Sequence, residues 1–207
     1  MQYYHLVDRN ALKLSCKSQF LQHVKRLENK QAYLNRRADA LHELSLSVPP
    51  ASGSHHMLGF LTEVKAKASS LQQALTCHAE WETEQLFAAL RGLLRPRKDP
   101  ELLHCFMLLE HDLAIALDYL GLFLKQADAI LYRLRRGGEP LAYALHERWK
   151  QASQLLIQAC LIVKCHLDVE RQRIIPLLDE IMVALRISGR ASQSDIAHSQ
   201  EAAAVLY

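Results

Sequence analysis

Glycine and proline are scarce, seven and six in 207 residues. A chain with so little material for tight turns is expected to consist of long elements joined by short connections. Charge of one sign is equally thin: the formal net charge is +3, too small to point to nucleic acid. Basic runs do occur, at Lys25-Arg26, Arg36-Arg37, Arg95 to Lys98 and Arg133 to Arg136. They are interleaved with acids or fall at helix ends, where cations suit the helix dipole, and so they read as solvated faces. No apolar run approaches the ~20 residues of a membrane span. The start of the chain shows no signal-peptide core, so neither membrane nor export is expected. The five cysteines, Cys16, Cys77, Cys105, Cys160 and Cys165, form no CxxC pair and no disulfide-like framework. Reduced thiols in a cytoplasmic compartment are the expectation.

What the chain does have is helix. Half its residues are apolar and 23% are charged, enough to bury a core in one domain. Breaker residues cluster at Pro49-Pro50-Ala51-Ser52-Gly53-Ser54, at Arg95-Pro96-Arg97-Lys98-Asp99-Pro100 and at Arg136-Gly137-Gly138-Glu139-Pro140. The stretches between are rich in Leu, Ala, Gln, Glu, Lys and Arg. Asp99-Pro100-Glu101 reads as the cap, first position and acidic first turn of a helix. Four helices follow, at about 16–47, 54–94, 100–136 and 140–187, and the fold class is all-α, an up-down antiparallel four-helix bundle. Pro176 should kink or shorten the fourth helix. Residues 1–15 form an appendage, and the small, polar stretch 188–207 reads as a flexible tail.

Each helix carries a stripe at three- and four-residue spacing. The first runs Cys16, Phe20, His23, Leu27, Leu34, Ala38, Leu41. The second runs Leu71, Leu75, His78, Glu82, Leu86, Ala89, Leu93, and the third His104, Leu108, His111, Ile115, Tyr119, Leu122. The fourth runs Ala159, Val163, His166, Glu170, Ile174, Leu177, Ile181. Histidine interrupts every stripe, and in two of them a glutamate follows four residues on, one turn away on the same face. A carboxylate in an apolar stripe is costly unless it is paired or bound to metal. Counted from the connections, His23 lies level with His78, and His111 with His166, to within a turn. A shift of 88 residues carries His23, His78 and Glu82 onto His111, His166 and Glu170, and Cys77 onto Cys165. Two helical hairpins would then each supply His plus His-x-x-x-Glu, a shell for two metal ions. Imidazole with carboxylate suits iron, manganese or zinc, and a nitrogen-rich pair with bridging carboxylates favours iron.

The pattern resembles the hemerythrin-like, or HHE cation-binding, family over about residues 16–180. Phe20-Leu21-Gln22-His23 and Leu108-Leu109-Glu110-His111 are similar to that family's helix openings. His78-Ala79-Glu80-Trp81-Glu82, followed by Leu86-Phe87-Ala88-Ala89-Leu90, is similar to its His-x-x-x-Glu segments ending in Phe-Pro-x-Leu. So is His166-Leu167-Asp168-Val169-Glu170, followed by Ile174-Ile175-Pro176-Leu177-Leu178, although Ala88 stands where the family has proline. The resemblance implies two non-haem iron ions joined by an oxo or hydroxo bridge, with Glu82 and Glu170 as bridging ligands and His23, His78, His111 and His166 as terminal ones. It also implies an open position for dioxygen, nitric oxide or a peroxide, and a role in sensing, scavenging or oxygen binding. Any turnover would be a redox reaction of the iron pair. The further terminal histidine of the oxygen carriers has no counterpart, since His104 is about 10.5 Å along the axis from His111. A helical interaction module with a purely structural metal, or an iron-homeostasis protein, is the alternative, with a protein partner or a second copy as binding partner.

Other constellations point elsewhere. His55-His56 reads as a solvated loop pair. Only Glu101-Leu102-Leu103-His104 fits the Glu-x-x-His of ferritin-like bundles, which use two. No His-Glu-x-x-His, phosphate loop or nucleophile elbow occurs. Cys77 and Cys165 are expected to pack as small hydrophobes, and Tyr119 as an ordinary buried tyrosine. Access to the site is expected from the end of the bundle near the 95–100 loop, past Cys16 and His104.

Overall fold

A computed structural model describes residues 15–47, 53–93, 100–136 and 142–184. The first 14 residues, the tail from Ser188 and the 94–99 connection lie outside them, as do the side chains of Cys16 and His55. Helix α1 is Ser15–Leu46 and α2 is Gly53–Trp81, which runs on through a π-helical turn, Glu82–Phe87, into α3, Ala88–Leu93. Helix α4 is Pro100–Arg135 and α5 is Ala142–Val169, continued by a second π turn, Glu170–Ile174, and a last helical stretch over 175–184, α6. The described residues contain no strand, and the helix limits fall within a few residues of those read from the breakers. Pro100 opens α4 where its missing N–H costs nothing, Glu101 lies in the first turn, and Arg133 and Arg135 lie in the last.

Helix α1 packs on α2 and α5, and α4 packs on the same two. Arg37 meets Ser70 and His23 meets Trp81 across α1 and α2. Lys65 meets Asp128 and Arg91 meets Glu110 between the second and third arms. Asp39 meets Lys164 and Gln31 meets Glu170 between α1 and the fourth arm. Along each of these pairs the residue numbers run in opposite senses.

The core is split in two. One apolar cluster holds Leu34, Leu41, Leu61, Leu75, Leu113, Phe123, Trp149 and Val163. The other holds Phe20, Leu27, Trp81, Phe87, Phe106, Leu109, Ile174 and Leu178. Each fully buried Leu or Phe contributes about 1.5–3 kcal/mol of transfer free energy, so these clusters drive the assembly. Where the two meet along the chain lie the buried polar residues Gln31, His78, Glu82, His166 and Glu170.

Pro176 does not shorten its helix: the helical run Ala144–Ala184 passes through it, as the expected span of about 140–187 requires. The widened π turn immediately before it relieves the clash that a proline ring makes with the preceding turn. The stripe on α4 differs from the expected one. Leu102, Phe106, Leu109, Leu113, Ala116, Leu120 and Phe123 are buried, while Leu108 and Leu122 are 48% and 49% exposed. Apolar residues surround this helix, so two stripes compete, and packing selects the one with the phenylalanines and the small Ala116.

The run Ala144–Ala184 is long and apolar enough to cross a membrane by length and composition alone. Here it forms one wall of the bundle, with Trp149, Leu156, Val163 and Leu167 buried and the ionisable His166 and Glu170 on the same face. That arrangement is compatible with a soluble protein.

Candidate metal centre

His78 and Glu82 come from the second arm, His166 and Glu170 from the fourth, and all four side chains are 0–1% exposed. Their spacing explains the local winding. The buried positions His78, Glu82, Leu86, Leu90 and His166, Glu170, Ile174, Leu178 advance in steps of four. In an α-helix each such step overshoots a full turn by about 40°, so three steps would carry the stripe about 120° off its face. A π turn holds more residues per turn and cancels that drift. One such turn begins at each glutamate.

The four side chains converge. Nε2 of His78 lies 3.7 Å from Glu82 Oε2 and 3.5 Å from Glu170 Oε1. Nε2 of His166 lies 3.4 Å from Glu82 Oε2 and 3.9 Å from Glu170 Oε1. The two imidazoles meet edge to face with centroids 5.9 Å apart. One donor atom from each residue falls within 4.8 Å of all the others. Ligand atoms around a four-coordinate ion with bonds of ~2.1 Å are ~3.4 Å apart, so a single ion fits with small adjustments.

Hydrogen bonding makes the same point. Both nitrogens of His78, both of His166, both oxygens of Glu82 and Oε1 of Glu170 are buried without a hydrogen-bond partner. Each such group costs about 1–3 kcal/mol. Native cores rarely leave that many polar atoms unmatched in one place, unless something binds them. Burial holds the His166 imidazole at a pKa of about 4, against the pull of Glu170. It is therefore neutral at pH 7, the form that coordinates metals. Burial raises the Glu82 carboxyl, and the neighbouring Glu170 charge raises it further. Two carboxylates match the charge of a divalent cation, and the group can hold a metal ion.

The other two residues expected as ligands lie outside this group. His23 is half-buried, its ring 6.0 Å from Trp81 and 6.1 Å from Phe20. Trp81 in turn stacks on His78, centroids 6.0 Å apart, so the indole touches both histidines. His111 is exposed, two residues from each of the buried Leu109 and Leu113 and hence on the opposite face of α4. The 88-residue shift explains why both seemed level with the site. It holds between the second and fourth arms, but the buried faces of α1 and α4 are related by 82: Phe20, Leu27, Gln31, Leu34, Ala38 and Leu41 correspond to Leu102, Leu109, Leu113, Ala116, Leu120 and Phe123. In that register Gln31 and Leu113, not His23 and His111, face the centre.

Gln31 escapes the sequence reading although it lies four residues after Leu27 and three before Leu34, squarely on the α1 stripe. Its Nε2 donates to Glu170 Oε2 at 3.0 Å and to the Leu167 carbonyl at 3.3 Å. Trp81, one turn from His78, is likewise buried, and its indole N–H is unpaired. Cys77 and Cys165 are exposed, not packed as small hydrophobes, because each lies about 100° from its ligand-bearing neighbour, on the outer face. Tyr119 is half-buried and His104 exposed. Comparison of the chain with family models, with curated proteins and with solved structures finds no match.

Proposed function

We propose that this chain is a non-haem iron protein of hemerythrin-like kind, whose buried centre binds or reacts with dioxygen, nitric oxide or a peroxide. The observation that carries the reading is the convergence of four buried side chains, His78, Glu82, His166 and Glu170, with one ligand atom from each within 4.8 Å of the others. Imidazole and carboxylate together suit iron, which supplies one-electron redox chemistry and keeps positions open beyond four protein ligands. The residues around it keep bulk water away: all four side chains are buried, with an apolar cluster on either side. Two-ion occupancy, the expectation from sequence, needs donors from α1 and α4, and the faces those helices turn inward offer Gln31 and Leu113. One ion per chain is therefore the reading. The free thiols of Cys77, Cys105, Cys160 and Cys165 accord with a reducing, cytoplasmic setting.

Anaerobic reconstitution with ferrous iron, followed by metal analysis, tests the centre. His78→Ala and His166→Ala should each lose most of the metal. Stopped-flow mixing of the reduced protein with oxygen and with nitric oxide tests the chemistry. Iron retained without any spectral response would leave a structural metal site in a helical interaction module.

A further inference from the structure

The hydrogen bonds around the centre are unequal. Neither oxygen of Glu82 is held, whereas Oε2 of Glu170 accepts from the Gln31 amide at 3.0 Å. The same nitrogen donates to the Leu167 carbonyl at 3.3 Å. Both partners are acceptors, so the orientation of the amide follows: its nitrogen faces them and its oxygen cannot. The two bonds tie the buried Gln31 of α1 to the fourth arm, and turning the amide away would leave buried donors unmatched. Only Oε1 of Glu170 remains unpaired, and it is the oxygen that lies 3.5 Å from His78 and 3.9 Å from His166. A hydrogen bond to Oε2 withdraws one of its lone pairs and fixes the plane of the carboxylate, so that Oε1 is the oxygen turned to the histidines. At the matching position of the other hairpin stands Leu113, which has no hydrogen to donate to Glu82.

We propose that Gln31 is a positioning residue that holds Glu170 so that it meets the metal through Oε1 alone. The proposal rests on the metal-binding reading above and adds to it the binding mode of Glu170 and the residue that sets it. Gln31 acts through Glu170, since its amide is directed to the carboxylate oxygen and a backbone carbonyl and not to the convergence point of the four donors.

The test uses the full chain with cobalt(II) as the probe, whose visible d–d bands report coordination number, and compares the wild type with Gln31→Leu and Gln31→Met. Leucine reproduces the apolar residue found at position 113, and methionine keeps the length of glutamine without its donors. Far-ultraviolet circular dichroism shows whether each variant is folded. The wild type is expected to bind one cobalt per chain. Both variants are expected to free Oε2, to change the visible spectrum toward a higher coordination number, and to bind metal about 10–100-fold more weakly, the usual consequence of losing an outer hydrogen bond to a ligand. A folded variant with the wild-type spectrum and affinity would overturn the proposal and leave metal binding intact. A wild type that binds no metal would sink the underlying reading instead.

Discussion

Glu82→Leu separates the cost of the centre from its use. In the metal-free protein Glu82 is 1% exposed and neither of its oxygens has a hydrogen-bond partner. Leaving buried polar atoms unmatched costs about 1–3 kcal/mol per group. The variant in chelator should therefore be more stable than the wild type in chelator by roughly 1–3 kcal/mol, or about 2–12 °C in Tm for a chain of this size. Saturating metal at about 100 times its Kd should add about 2.7 kcal/mol to the wild type and much less to the variant, so the order of the two closes or reverses. The sign with pH is also determined. Burial raises the folded-state Glu82 carboxyl above its unfolded value. Both states are protonated below the usual carboxylate pKa of about 4.3, and there the penalty is absent. As pH rises past that value the unfolded state ionises first, and the penalty grows until the folded group ionises in turn. The advantage of the variant should thus be larger at pH 7 than near pH 4. Thermal unfolding followed by circular dichroism, with chelator and with ferrous iron under argon, reads all of this. A Glu82→Leu protein less stable than wild type in chelator would refute the reasoning, because it would make Glu82 a structural asset and not a metal ligand held at a cost.

Four further outcomes follow from the same geometry. His23→Ala and His111→Ala should leave metal affinity within about twofold, whereas His78→Ala should weaken it beyond the ~10–100-fold typical of outer-shell losses; equilibrium titration against a competing chelator decides. Trp81 stacks on His78 while Trp149 packs against Phe60. Metal binding should therefore quench tryptophan emission in Trp149→Phe and leave Trp81→Phe silent. The Cys160 thiol is buried and its pKa is pushed up to about 12 by that burial. Alkylation of the native protein at pH 8, read by peptide mass spectrometry, should label Cys77 and Cys165 and spare Cys160. A methyl group added at Gly59 would meet nothing within 4 Å. Gly59→Ala should therefore raise stability by about 0.5–1 kcal/mol in denaturant titration.

The helices and the four side chains that could hold a metal ion were legible in the chain itself. Scarce glycine and proline, concentrated at three places, cut it into helices whose observed limits differ from the reading by only a few residues. His78, Glu82, His166 and Glu170 stood out because four-residue spacing is a local property of a helix, and because a carboxylate on an apolar stripe needs a partner. The π turns were also written there, as successive steps of four, although a stripe read loosely as threes and fours conceals them. Register between helices was not legible. On α4 apolar residues occur all round, and the sequence periodicity cannot choose between the stripe through His111 and the one through Leu109 and Leu113. Packing chose the second, because Phe106 and Phe123 fill the interior and Ala116 and Ala127 let the neighbouring helices approach. That choice moved the match between α1 and α4 from 88 residues to 82, turned His111 outward, left His23 against Trp81, and brought Gln31 to Oε2 of Glu170. Spacing within a helix is set by its own backbone. Which face it turns inward is decided by the volumes of the side chains on every helix it touches, and that exists only once the bundle has formed.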